Sequence, residues 1–75
     1  MNYKKLIERN PEIMMGKLVI KGTRITVELL LRKLASGYEI NDLLISYPHL
    51  SKEQIMAVLN YAADVIAYEE IFEKG

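Results

Sequence analysis

Cysteine and tryptophan are absent from this chain of 75 residues, histidine occurs once and proline twice. Without cysteine there is no disulfide framework and no thiolate metal site. Metal binding would need several His, Asp or Glu side chains converging on one point, and their spacing does not bring them there. The densest acidic cluster, Glu69, Glu70 and Glu73, reads as a solvated helix end. The one histidine, His49, sits between Pro48 and Leu50 and reads as a turn residue. A general base there would need an orienting acid and a nucleophile nearby, and none is implied. Gly16 and Gly22 match no phosphate-binding pattern. The expectation is a protein that is not an enzyme, with no cofactor and no small-molecule substrate. No apolar run reaches the length of a membrane span. The opening residues, MNYKKLIERNPEI, carry charges where a secretory leader would be apolar, so a cytoplasmic globular domain is expected.

What is present is apolar. Hydrophobic residues make up 51% of the chain and the net charge is zero, which excludes disorder. A chain this short forms one domain, 1–75, with a core near the smallest that folds unaided. So much apolar surface on so small a body points to a partner or to a second copy, a homodimer. The zero net charge hides an asymmetry. Residues 1–35 hold eight basic and three acidic groups, a net of +5; residues 36–75 hold two basic and seven acidic groups, a net of −5. Such a separation either serves an interaction partner or lets the two halves sit against each other.

Punctuation divides the chain. Asn10-Pro11 favours a turn. Gly16 and Gly22 bracket the run Lys17-Leu18-Val19-Ile20-Lys21, and Thr23-Arg24-Ile25-Thr26-Val27 follows, so a β-element is expected over 10–27 as a hairpin around Lys21-Gly22 or a pair of edge strands. From Thr26 the period becomes helical. Thr26 caps a first helix over 26–36, with Val27, Leu30, Leu31 and Leu34 on one face and Gly37 ending it. Asn41 is expected to cap a second helix over 41–47, with Ile40, Leu43, Leu44 and Tyr47 on one side and Pro48 stopping it. Ser51-Lys52-Glu53-Gln54 matches a capping box and opens a third helix over 52–72.

The third helix has the expected core stripe, Ile55, Leu59, Ala62 and Ile66, with Val58 and Val65 beside it. Met56, Tyr61, Ala63, Ala67 and Tyr68 lie elsewhere on its circumference, and between Ile55 and Tyr68 only Asn60 and Asp64 are polar. A helix apolar on most of its circumference is buried on most of it. Two short helices and a hairpin cover about half, so the rest is expected to meet another chain. Met56, Tyr61, Tyr68, Ile71 and Phe72 are the candidate protein-interface residues.

Helix, short helix, turn and longer helix is the order of a helix-turn-helix unit, whose last helix enters the major groove by its N-terminal residues. Here those are Ser51, Lys52 and Gln54, with His49 nearby and Ala57 small enough for close approach. Gln reads adenine edges, and Lys contacts guanine or phosphate. Glu53 and Asp64 weaken the field of this helix. The basic groups lie on the hairpin side, so Lys17, Lys21 and Arg24 are the expected phosphate contacts. Arg24 reads as a phosphate clamp or, by the slightly favoured reading, as an ion-pair partner for a C-terminal acid. By spacing alone, a tri-helical fold used only for protein contacts stands level with a DNA binder.

The stretch from Asn10-Pro11-Glu12-Ile13 through Gly16-Lys17-Leu18-Val19-Ile20-Lys21-Gly22-Thr23-Arg24-Ile25 resembles the opening of the small prokaryotic family called domain of unknown function 433. Leu34-Ala35-Ser36-Gly37, Asp42-Leu43-Leu44, Tyr47-Pro48-His49-Leu50, Ser51-Lys52-Glu53-Gln54-Ile55, Ala57 and Tyr61-Ala62-Ala63 continue the match, over about residues 10–63. Leu18 stands where that family usually has Pro, Met15 where Gly is common, and Asn10 where Asp is usual. The resemblance implies a mainly α, homeodomain-like tri-helical (helix-turn-helix) domain with a short N-terminal β-hairpin or β-arm. Many members resemble VapB-type antitoxins, which implies an antitoxin of a toxin-antitoxin system with two partners, a cognate PIN-like nuclease toxin and its own operator DNA. A stand-alone transcriptional regulator and a dimerisation module without DNA binding are the other readings.

Overall fold

The computed structural model describes the backbone of residues 3–73 and the side chains of residues 3–68. Two strands, β1 (Ile7–Arg9) and β2 (Leu18–Ile20), form an antiparallel ladder that pairs Ile7 with Ile20, Glu8 with Val19 and Arg9 with Leu18. Three helices follow: α1 (Val27–Ala35), α2 (Ile40–Ser46) and α3 (Lys52–Glu73). The architecture is the mainly α tri-helical domain with an N-terminal β-hairpin that the sequence predicts.

The composition of the hairpin differs from the expectation of a β-element over 10–27. The partner of β2 is Ile7–Arg9, ahead of the Asn10-Pro11 turn, and of residues 23–27 only Thr26 forms a β-bridge to it, with Val19. The cause is the tight turn at residues 21–24. Gly22 adopts φ +81°, a conformation that strains any residue with a Cβ. The Thr23 hydroxyl donates to the Ile20 carbonyl (2.8 Å) and accepts from the Ile25 amide (3.0 Å), while the Gly22 amide donates to the Glu8 carboxylate (3.3 Å). The chain leaves this turn straight into the cap of α1, too soon to form a second long strand.

The Thr26 hydroxyl accepts from the Leu29 amide (3.0 Å), satisfying one of the orphan donors of α1. Gly37, at φ +109°, follows its C-cap Ser36 as the sequence predicts. The second helix starts earlier than expected. Its N-cap is Glu39, not Asn41, because the Asp42 carboxylate reaches back to the Glu39 amide (2.7 Å) and closes a reciprocal box. In α3 the expected box is present: the Ser51 amide donates to the Gln54 side-chain oxygen (2.8 Å) and the Gln54 amide to the Ser51 hydroxyl (3.2 Å).

The core is one cluster: Ile7 and Ile20 from the hairpin, Val27 and Leu30 from α1, Leu43 from α2, and Leu50, Ile55 and Val58 at and within α3. Leu31, Leu34, Ile40, Leu44 and Tyr47 close its margin. All of this sits against the first half of α3. Beyond Ala62 every described side chain of α3 is exposed, so the helix projects from the body; with it the chain extends over 44 × 30 × 22 Å. Ile66, expected in the core stripe, is 56% exposed for this reason.

Candidate protein and nucleic-acid interfaces

The predicted site residues fall into three groups. Lys21 and Arg24 flank the pinned Gly22-Thr23 turn and both are exposed. Ser51 and Lys52 are exposed at the start of α3. The third group is the distal half of α3.

In the turn, Gly22 supplies the positive φ and Thr23 locks the loop, so Arg24 is presented outward. Neither ion pair formed among the described residues involves Arg24. The side chains of Glu69, Glu70 and Glu73, three of the C-terminal acids it was expected to meet, lie outside the described residues. Lys17 stands apart from Lys21 and Arg24. It lies 3.8 Å from Glu28, whose other oxygen accepts from Arg32 at 2.9 Å. Arg32 first, and then Lys17, hold the Glu28 carboxyl below its ordinary value. All three groups are exposed, so the network adds little to stability.

At the start of α3, Gln54 is half-buried and its side-chain oxygen is occupied by the capping box. It is held by the helix end and has only its amide nitrogen left for a base edge. Ala57 is fully buried. It packs inside the domain and is not the point of close DNA approach that its size suggested. Lys52 is exposed, as is Ser51, whose hydroxyl accepts from the Gln54 amide in the cap.

On α3, Met56 and Tyr61 are half-buried and Tyr68 is 64% exposed. Met56 and Tyr61 therefore serve the body of the domain more than a bare surface. The Tyr61 ring packs edge-on against Tyr3 at 5.5 Å between centroids. Burial first, and then hydrogen bonding and charge from Asp64, raise the Tyr3 hydroxyl above its ordinary value. The side chains of Ile71 and Phe72, also proposed for this interface, lie outside the described residues. Val65 (38% exposed) and Ile66 are also exposed on this part of the helix, with Tyr3 beside Val65 and Tyr68. Tyr61, Val65 and Tyr68 follow one another at i, i+4 and i+7, along one face.

Sequence reasoning missed a groove of about 530 Å³ between the connecting-loop end of the hairpin, α1 and Tyr61. Leu18, Val27 and Leu31 line it together with that ring. Arg9 stands on it, its guanidinium donating to the Gly16 carbonyl at 2.9 Å. No local signal in the sequence announces the groove, because residues from three distant segments build it. Among the described residues, no group of three His, Asp or Glu is placed to hold a metal ion, and no helix is long and apolar enough to cross a membrane.

Comparison with known proteins agrees with this geometry. No curated protein matches the chain. A crystal structure of a DUF433 member protein from Anabaena variabilis is similar to it, with a TM-score of 0.76 and 30% sequence identity. The similarity covers 84% of this chain and 66% of that one, so the chain spans just under two thirds of the length of that relative. The family profile described as protein of unknown function (DUF433) matches residues 7–62, which include both strands, α1, α2 and the packed half of α3. The chain therefore belongs to the DUF433 family.

Proposed function

We propose that this protein is an antitoxin-like adaptor without catalytic chemistry of its own: it binds and neutralises a PIN-like nuclease toxin and binds its own operator DNA. One observation carries the protein-binding part. The distal half of α3 leaves the core and exposes Val65, Ile66 and Tyr68. Aromatic and aliphatic side chains on a projecting helix are the usual anchors of a helix laid into a groove of another protein. Neutralisation follows if that helix occludes the nuclease site. The nature of the toxin rests on the family resemblance.

The DNA-binding part rests on Lys21 and Arg24 at the pinned turn and Lys52 at the start of α3. A short tri-helical unit would place the start of α3 in the major groove and use the turn for phosphates. Lys52→Ala is expected to weaken binding to the chain's own upstream DNA by about tenfold, since one lost contact is worth roughly 1–3 kcal/mol. Fluorescence anisotropy over a salt series measures it, and a contact to phosphate also lowers the salt slope by about one. Unchanged affinity and slope for Lys52→Ala would remove α3 as the DNA reader. A chain that binds DNA and no nuclease would be a stand-alone regulator, and one that binds neither a dimerisation module.

A further inference from the structure

We infer that the groove between the hairpin and α1 binds a small amphipathic anion, an apolar body carrying one carboxylate. This inference goes beyond the antitoxin reading and needs neither a toxin nor DNA.

The lining of the groove is mostly apolar. Leu18 of β2, Leu31 of α1 and Tyr61 of α3 line it, and each packs on the core while staying only half-buried. A hollow of about 530 Å³ is within the size of small-ligand sites, roughly 300–1,000 Å³. Its charged groups are of one prevailing sign. Arg9, Lys17 and Arg32 stand on the groove, with Glu28 as the acid opposing them. Glu28 accepts from the Arg32 Nε at 2.9 Å and lies 3.8 Å from Lys17. Three cations against one carboxylate leave two positive charges in excess. Both guanidiniums also keep donors. Arg9 spends its Nη1 on the Gly16 carbonyl and Arg32 its Nε on Glu28, and their other N–H groups bond nothing among the described residues. A guanidinium has five donors in a fixed fork, and two free ones side by side match a carboxylate. The apolar lining then supplies contact area and the cations select the sign of the head group. A bare phosphate would meet the cations and gain nothing from Leu18, Leu31 and Tyr61. An uncharged apolar molecule would leave the excess charge unanswered.

Titration of the whole chain with decanoate, followed by amide nuclear magnetic resonance, tests this. Saturable shifts are expected at Leu18, Val27 and Leu31. Acetate, the head without the tail, is expected to give none, and decanol, the tail without the charge, to bind about tenfold more weakly. Arg32→Gln is expected to weaken decanoate binding by about tenfold, the loss of one charge-assisted hydrogen bond. Glu28→Gln is expected to tighten it by about fivefold, since the opposing charge goes. Both side chains are exposed, so neither variant endangers the fold. Ala35 is exposed and lines the groove, and Ala35→Trp is expected to fill the groove and abolish binding, with circular dichroism checking that the chain is folded. Absence of saturation at millimolar decanoate would overturn the inference. So would equal affinity for decanol, or shifts confined to Val65, Ile66 and Tyr68. Binding that Arg32→Gln and Glu28→Gln both leave unchanged would overturn it as well, because the groove's charges would then play no part.

Discussion

Thr26 shows how much one small side chain can fix. Its hydroxyl caps α1, its backbone bridges to Val19, and it is the buried polar residue on the seam between hairpin and helix. Thr26→Ala is expected to lower unfolding stability by about 1–2 kcal/mol, the worth of an N-cap, read from the midpoint of urea denaturation. Met15 works in the opposite direction. It adopts φ +57° with its side chain 95% exposed, a left-handed conformation that burial does not repay. Met15→Gly is expected to stabilise by up to ~1 kcal/mol, relief of strain being partly offset by the freer unfolded chain. Tyr3 gives a pH signature. Its hydroxyl is raised above the ordinary 10.0, so the native state keeps the proton longer than the unfolded chain. Stability is thus intact below pH 10 and falls as pH rises from there through the folded value. Tyr3→Phe is expected to flatten this alkaline limb while leaving the neutral-pH dependence as it was, measured by denaturation at a series of pH values.

The three helices, and the inward faces of α1 and α2, were legible in the sequence because each helix carries local signals: Thr26 and Gly37 for α1, Pro48 for the stop of α2, Ser51 and Gln54 for the start of α3. The strand pairing was not. Ile7–Arg9 is three residues long and its partner lies eleven positions away, so no local periodicity marks it. Asn41 looked like the cap of α2, but an acid at Glu39 with Asp42 three residues on forms a reciprocal pair that a search for Ser, Thr or Asn overlooks. Ala57 illustrates a different limit. Its size was visible, while the direction of its Cβ depended on how α3 packs on the body. The breadth of the apolar band on α3 was legible, and its division at Ala62 into a packed part and a part whose described side chains are exposed became visible only in three dimensions. Tyr61→Asp would strip the Tyr3 ring of its neighbour and so test folding as much as association. Tyr68→Asp acts on the exposed half and is expected to leave thermal unfolding of the core within about 0.5 kcal/mol of the parent, as surface substitutions do.

At the scale of the molecule, a core of about ten side chains supports a helix longer than that core can cover. The hairpin and α1 gather the exposed cations, and the projecting helix carries acids and aromatics. On the proposed reading, other chains complete such a body. The central claim, that one of them is a nuclease held by α3, is tested most directly by capture. The tagged chain is recovered from a lysate of its native cell, treated with nuclease and washed in high salt, in parallel with Tyr68→Asp. The account predicts stoichiometric recovery of a small PIN-like protein whose nuclease activity the chain suppresses, and loss of that protein with Tyr68→Asp. An apolar interface survives such a wash, whereas a bridge made by DNA does not. Recovery of the bait alone, or of a partner that Tyr68→Asp retains, would contradict it.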